Sequence, residues 1–213
     1  APPLPARHAS EGLYLLYPGP AVWVAVLSFP AFALTFTAAE PITVLLFGER
    51  YASAAPILSI MALGAFFESI VGFNAAALRV AGKLKWLVGT NVAATVLNLA
   101  LNILLIPRIG ALGAGIATGT SLTIYALFKQ TGMRIGTGIS AFDHHYAGTY
   151  ATIALSGLFL LGVRLVWPEH VVVLVAAATL ASVAVLLQAR SRLSISETFP
   201  ELGRFPLLKL LLG

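Results

Sequence analysis

The chain has 213 residues, of which 59% are hydrophobic and only 10% charged. A soluble domain of this size needs more polar surface than that, so the composition predicts an integral membrane protein. The net charge of +5 comes without a basic run interleaved with aromatic residues, which argues against nucleic-acid binding and favours the lysine and arginine excess of cytoplasmic loops.

The first 20 residues are rich in proline and polar side chains and predict a cytoplasmic loop with a short helix, Ala9 to Tyr17. They contain no initiator methionine and no signal-peptide features, so we expect the chain to be a fragment or a processed form. The absence of cysteine excludes structural disulfides and thiolate metal sites.

Six apolar segments follow, each long enough to cross the roughly 30 Å hydrocarbon core of a bilayer as a helix. Residues 21–130 contain four of them, and residues 146–189 form an additional transmembrane hairpin. The first segment is longer than one crossing needs and is predicted to bend at Pro30 and Pro41. The segments are Ala21 to Phe47, Ala54 to Val80, a third ending at Ile106, Ala111 to Phe128, Tyr146 to Trp167 and Val171 to Leu187.

The connections complete an all-α, polytopic transmembrane bundle. Pro107 to Gly110 predicts a tight turn between the third and fourth spans. A polar stretch begins at Lys129, and residues 131–145 are predicted to form a cytoplasmic connection. Residues 190–213 are predicted to form a cytoplasmic or interfacial tail.

The positive charges predict the orientation of this bundle. With six spans, ten lysines and arginines fall on the side of both chain ends, and three, Arg50, Arg108 and Arg164, fall on the other. The positive-inside rule therefore predicts a multi-pass protein of the cytoplasmic membrane with both ends of the chain in the cytoplasm.

Small residues crowd the fourth span and would let another helix backbone approach closely. They are Gly113, Ala114, Gly115, Ala117, Thr118, Gly119 and Ser121. We expect this face to be a helix-packing surface.

Glu68 is the leading candidate for a functional residue because a carboxylate near the middle of a span is costly unless it is paired, protonated or hydrated. The alternative is a protonated glutamate that makes one interhelical hydrogen bond. Arg79 falls 11 residues later, on the same face of a continuous helix. With Lys83 and Lys85 it would form a basic mouth on the cytoplasmic side of a cavity.

A polar stripe on the third span supplies the other candidates for cavity residues. The spacing of Asn91, Thr95, Asn98 and Asn102 places them on one helical face, where they either line a hydrated cavity or join helices by hydrogen bonds. A weaker line of polar residues on the fourth span consists of Thr118, Ser121, Tyr125 and Lys129. We expect these residues to take part in helix packing.

No other residues indicate a catalytic or metal-binding function. Glu40 is expected at the outer interface, and the neighbouring His144 and His145 have too few partners for a metal site. No nucleophile, zinc or phosphate-loop motif occurs, so we expect neither catalysis nor a cofactor.

Four motifs resemble the polysaccharide transporter family of the multidrug/oligosaccharidyl-lipid/polysaccharide (MOP) exporter superfamily. They are LPARHASEG at residues 4–12, FGERY at 47–51, AGKLK at 81–85 and LNLALNILLIPRIGALGAGIAT at 97–118. The resemblance covers about the first 130 residues. It implies the C-terminal portion of a two-lobed flippase, whose partners would be membrane lipids and the missing N-terminal portion.

Such a flippase would translocate polyprenyl-diphosphate-linked oligosaccharides by alternating access, without breaking a bond. An ion-coupled multidrug exporter of the same superfamily, with Glu68 as the coupling carboxylate, and a non-transporting membrane scaffold are the alternatives.

Overall fold

The computed structural model of the protein describes residues 18–71, 73–137 and 147–190. Within these ranges the chain forms α-helices, one 3-10 helix and turns, with no β-strand. The predicted helix at Ala9 to Tyr17, the two histidines at 144 and 145 and the tail beyond residue 190 lie outside the described residues. The α-helices are α1 (Pro18–Thr37), α2 (Ala39–Phe47), α3 (Ala55–Ile70), α4 (Phe73–Val80), α5 (Leu84–Ile109), α6 (Ala111–Thr137), α7 (Ala147–Val166) and α8 (Val171–Arg190), and the 3-10 helix covers Glu49–Ala54.

Five helical stretches of this part of the chain are long and apolar enough to cross a membrane. They are Glu49–Ile70, Leu84–Ile109, Ala111–Ile135, Ala147–Val166 and Val171–Ala189, and a sixth crossing results if α1 and α2 are counted as one bent span. The helices confirm the predicted all-α membrane bundle and indicate a multi-pass protein.

The first span bends by 81° between α1 and α2. The bend lies at Ala38, and Pro41 explains its position because a proline cannot donate to the carbonyl four residues earlier, that of Thr37. Pro30 lies inside α1 and does not interrupt it.

The second predicted span is not one helix. Ala54 to Val80 was predicted to cross without interruption, but α3 ends at Ile70 and α4 begins at Phe73. The face that was expected to carry both Glu68 and Arg79 is therefore interrupted between them.

The prediction that the fourth span ends at Phe128 is wrong. Helix α6 has 27 residues and continues to Thr137, a length of about 40 Å. A methyl group at Gly132 would come within 1.9 Å of the Trp86 Nε1 atom, so the glycine makes room for the indole, which donates to the Phe128 carbonyl at 3.2 Å. Gly132 thus belongs to a packed helix, although the polar sequence around it predicted a loop.

A single residue connects α5 and α6 in their hairpin. Pro107 and Arg108 still belong to α5, and Gly110, with a φ of +59°, makes the turn. This left-handed conformation favours glycine. The turn is therefore tighter than the predicted corner of four residues.

The small residues of α6 lie where close helix packing requires them. A methyl group on Gly64 of α3 would come within 2.7 Å of the Gly119 Cα atom, and one on Gly115 within 2.8 Å of Ile57. A methyl group on Gly113 would come within 2.7 Å of the Leu105 backbone in α5. The predicted packing surface thus holds α6 against both α3 and α5.

Helix α1 lies in the hydrophobic core of the bundle. Its side chains at Val22, Val26, Phe29 and Ala33 are fully buried, and it packs against α3, α7 and α8. The C-terminal hairpin of α7 and α8 is therefore an integral part of the bundle.

Candidate functional site

A buried ion pair joins α6 to α3. The Lys129 ammonium group donates a hydrogen bond to the Glu68 carboxylate. The Lys129 side chain is 1% exposed and that of Glu68 is 34% exposed. Lys129 was predicted to begin a cytoplasmic loop, and this was wrong because α6 continues past it and buries it.

Tyr125 completes the surroundings of the lysine. The Lys129 Nζ atom lies 4.3 Å from the centre of the Tyr125 ring, a cation–π distance. One turn earlier, the Ser121 hydroxyl is buried and has no hydrogen-bond partner in the described part of the chain. The line of polar residues on α6 therefore leads through the bundle to the ion pair.

The pair lies in the half of α6 nearer to Thr137. Lys129 is eight residues from that end, or about 12 Å along the helix. Glu68 is two residues before the end of α3. The carboxylate thus lies next to the interruption between α3 and α4.

Arg79 lies in the last turn of α4. Helix α4 packs against α6, the helix that carries Tyr125 and Lys129. Arg79 is exposed, as are Lys83 and Lys85. The bond from Trp86 to the Phe128 carbonyl holds the start of α5, where these lysines lie, beside the turn of α6 that carries Lys129.

The polar stripe of α5 does not join this cluster. Asn91 and Thr95 are exposed, and Asn98 and Asn102 are partly buried. The Thr95 hydroxyl donates to the Asn91 carbonyl at 2.9 Å, and the Asn102 amide donates to the carbonyl and side-chain oxygens of Asn98 at 2.8 and 2.9 Å. These bonds remain within α5, so the stripe lies on the surface of the described bundle.

An apolar cavity of about 520 Å³ lies among α1, α3, α6 and α7. Its volume is in the range of typical ligand pockets, roughly 300–1,000 Å³. Aromatic rings dominate one wall, where Phe32 and Phe66 stack with their centroids 4.3 Å apart. Gln130, the neighbour of Lys129, and Ile70, two residues after Glu68, also line it. The cavity is therefore adjacent in the chain to both members of the ion pair.

A second polar cluster, which the sequence did not predict, lies at the bend between α1 and α2. The Arg164 Nη1 atom donates to the Phe36 carbonyl and to the Ser59 hydroxyl oxygen, both at 2.7 Å. The guanidinium also lies 5.4 Å from the centre of the Phe36 ring, and the negative charge of Glu40 acts on it.

This cluster is explained by the broken helix. The Phe36 carbonyl would otherwise accept a bond from the N–H four residues later, which the bend displaces. A cation at the C-terminal end of α1 also matches the helix dipole. Glu40, predicted at the outer interface, is exposed in the first turn of α2. An arginine in the last turn of a predicted span gives no signal in the sequence for this role.

The described residues contain no group of three histidine, aspartate or glutamate side chains that could hold a metal ion. What they do contain is a charged pair between α3 and α6, two helices that also line an apolar cavity. The chain matches no protein-family model, no curated protein and no solved structure.

Proposed function

We propose that this chain is part of a membrane flippase that translocates polyprenyl-diphosphate-linked oligosaccharides by alternating access. The observation that carries the proposal is the Lys129–Glu68 pair, formed between α6 and α3, two helices that also line the apolar cavity. A lipid-linked diphosphate needs a cation for its headgroup and an apolar channel for its chain, and the same two helices contribute residues to both. The motifs that resemble polysaccharide transporters give the substrate class.

The ion pair supplies an exchangeable anion site. With no substrate, Glu68 neutralises Lys129, which avoids an unpaired charge in a low-dielectric interior. An incoming diphosphate can take the place of the carboxylate, which is one-third exposed and can turn towards water. Arg79, Lys83 and Lys85 would attract the headgroup to this end of the bundle before the exchange.

The exposed stripe of α5 supports a two-lobed assembly. Amide side chains facing lipid are unfavourable because lipid offers them no hydrogen-bond partner. In the proposal a missing N-terminal portion of the protein faces this stripe, with a hydrated passage between the two lobes. The apolar cavity would then hold part of the polyprenyl chain while the headgroup passes through.

An ion-coupled exporter is the second candidate, favoured by one specific observation. Glu68 is partly exposed whereas Lys129 is not, so a coupling cation could approach the carboxylate and displace the lysine. In that case the transported molecule would be an amphipathic drug, and the site would exchange a cation instead of a phosphate.

The two functions predict different phenotypes for a variant without the ion pair. A Lys129→Met/Glu68→Gln double variant removes both charges and avoids an unpaired one, so it should fold. For a flippase it should abolish surface glycan while drug resistance stays unchanged. Arg134→Gln, which removes an exposed arginine of the same helix, is the matched control and should behave as the wild type.

Each outcome selects one function. Loss of drug resistance with normal glycan export would favour the exporter. Normal results in both assays, with the double variant present in the membrane at the wild-type amount, would refute transport through this site and leave a membrane scaffold.

A further inference from the structure

The segment from Ala39 to Phe47, which we call the elbow, lies nearly perpendicular to α1. It is helix α2, and the bend that precedes it is 81°, whereas the 3-10 helix that follows continues into α3 as one stretch, Glu49–Ile70. Helix α1 alone has 20 residues, or about 30 Å, which already matches the hydrocarbon core. The nine residues of α2 extend only about 13 Å. The elbow is therefore too short to cross the membrane by itself and runs across the end of α1.

Its tip exposes large apolar side chains. Leu45 is 84% exposed, Leu46 is 65% exposed and Phe47 is 64% exposed. Adjacent apolar residues on a protruding tip are costly in water, at roughly 25 cal/mol per Å². Such a patch marks a contact surface.

The direction of the elbow is set by hydrogen bonds. Arg164 in the last turn of α7 and Ser59 in the second turn of α3 hold the Phe36 carbonyl just before the bend. Three helix ends therefore lie at one level, and the elbow extends sideways from it. In a bundle that spans a membrane, helix ends lie near the membrane surface.

Arg50 and Tyr51 follow the apolar tip. The Arg50 Nη2 atom donates to the Tyr51 hydroxyl at 2.9 Å, and its guanidinium lies 4.8 Å from the centre of the Tyr51 ring. Phe47 meets the same ring edge-on, with 6.0 Å between centroids. Aromatic residues of this kind occupy the headgroup level of membranes, and a guanidinium can bind phosphate oxygens through paired hydrogen bonds.

We propose that the elbow is a membrane-surface anchor. Leu45, Leu46 and Phe47 enter the acyl-chain region of the leaflet at this face of the bundle, and Arg50 binds the phosphate groups of its phospholipids. The partner is the lipid leaflet itself. The anchor does not depend on what the protein transports.

The absence of cysteine from the chain allows a direct test. A Leu46→Cys variant, labelled with an environment-sensitive fluorophore, is reconstituted in vesicles of phosphatidylcholine and phosphatidylglycerol. Nitroxide lipids labelled near the headgroup or near the end of the acyl chain quench it from two depths, and iodide quenches it from water. Glu169→Cys in the exposed turn before α8 and Leu180→Cys on the exposed face of α8 are the aqueous and deep controls.

The anchor predicts that the probe at Leu46 is quenched most by the shallow nitroxide and much less by iodide than the probe at Glu169. Iodide quenching equal to that at Glu169 would place the elbow in water. Quenching by the deep nitroxide, as at Leu180, would make the segment a re-entrant loop. Protection from all quenchers would show a protein partner. Each of these three results overturns the proposal.

The phosphate contact has its own control. Arg50→Gln should raise the iodide-accessible fraction of the Leu46 probe up to about fivefold, the factor that one surface arginine contributes to membrane partitioning. Arg108→Gln, at the exposed end of α5, should leave it unchanged. Equal quenching in the two variants would overturn the contact between Arg50 and phosphate.

Discussion

Removing the carboxylate of Glu68 tests how much the buried ion pair stabilises the bundle. In Glu68→Gln, Lys129 stays 1% exposed and loses its counter-charge. Stranding one member of a buried pair costs about 3–5 kcal/mol, and because Glu68 is one-third exposed we expect a smaller cost, about 2–3 kcal/mol. Lys129→Met should cost less, because a stranded Glu68 is one-third exposed and can be hydrated.

The double variant Glu68→Gln/Lys129→Met turns this expectation into a coupling energy. Reversible unfolding in detergent micelles, followed by helical circular dichroism, gives the four free energies of the cycle. A neutral hydrogen bond between membrane helices is worth only about 0.6 kcal/mol, so a coupling above about 1.5 kcal/mol would identify a charged pair. A coupling near 0.6 kcal/mol, or a Glu68→Gln variant as stable as the wild type, would refute the reasoning.

Three further predictions concern packing, the bend and topology. Gly64→Ala should cost about 1–3 kcal/mol of stability by overpacking, since its methyl group would lie 2.7 Å from the backbone of α6. Gly89→Ala, with open space around it, should gain up to about 1 kcal/mol through helix propensity. The same unfolding assay measures both free energies, and equal effects would contradict the packing. Arg164→Gln should lower stability by about 1–3 kcal/mol, because it leaves the Phe36 carbonyl at the bend without its charged donor. A loss of no more than about 0.5 kcal/mol would show that water replaces the guanidinium. A cysteine at Ser53 should react with an impermeant thiol reagent added outside cells and one at Lys85 should not, and the reverse would overturn the orientation inferred from the charges.

Glu68 could be singled out from the sequence, but its partner could not. A carboxylate in the middle of an apolar run is conspicuous because its desolvation is costly. Lys129, by contrast, follows a run of apolar residues and precedes a glycine, a pattern typical of a helix end. Its spacing from Tyr125 and Ser121 on one helical face was the available signal, and it was attributed to packing.

The packing of α6 was easier to predict than the interruptions of the other helices. Small residues at fixed spacing define a contact face whatever their partner, and the backbone approach at Gly119 confirms it. The interruption after Ile70 has no proline in the described residues beside it and depends on tertiary contacts. Arg164 was counted as a charge of the outer side, and only the folded bundle shows that it reaches a carbonyl 128 residues earlier in the chain.

That long separation has a consequence for the order of events during synthesis. Ribosomes add about 5–20 residues per second, so the 128 residues between Phe36 and Arg164 take roughly 6–26 s to appear. During this interval the first helix is already in the membrane without the donor that holds its broken end. Until then the Phe36 carbonyl has only the Ser59 hydroxyl, at 3.4 Å, as a side-chain donor, and hydration or a membrane chaperone must cover its remaining hydrogen-bonding capacity. The bend acquires its final shape only when the last hairpin emerges.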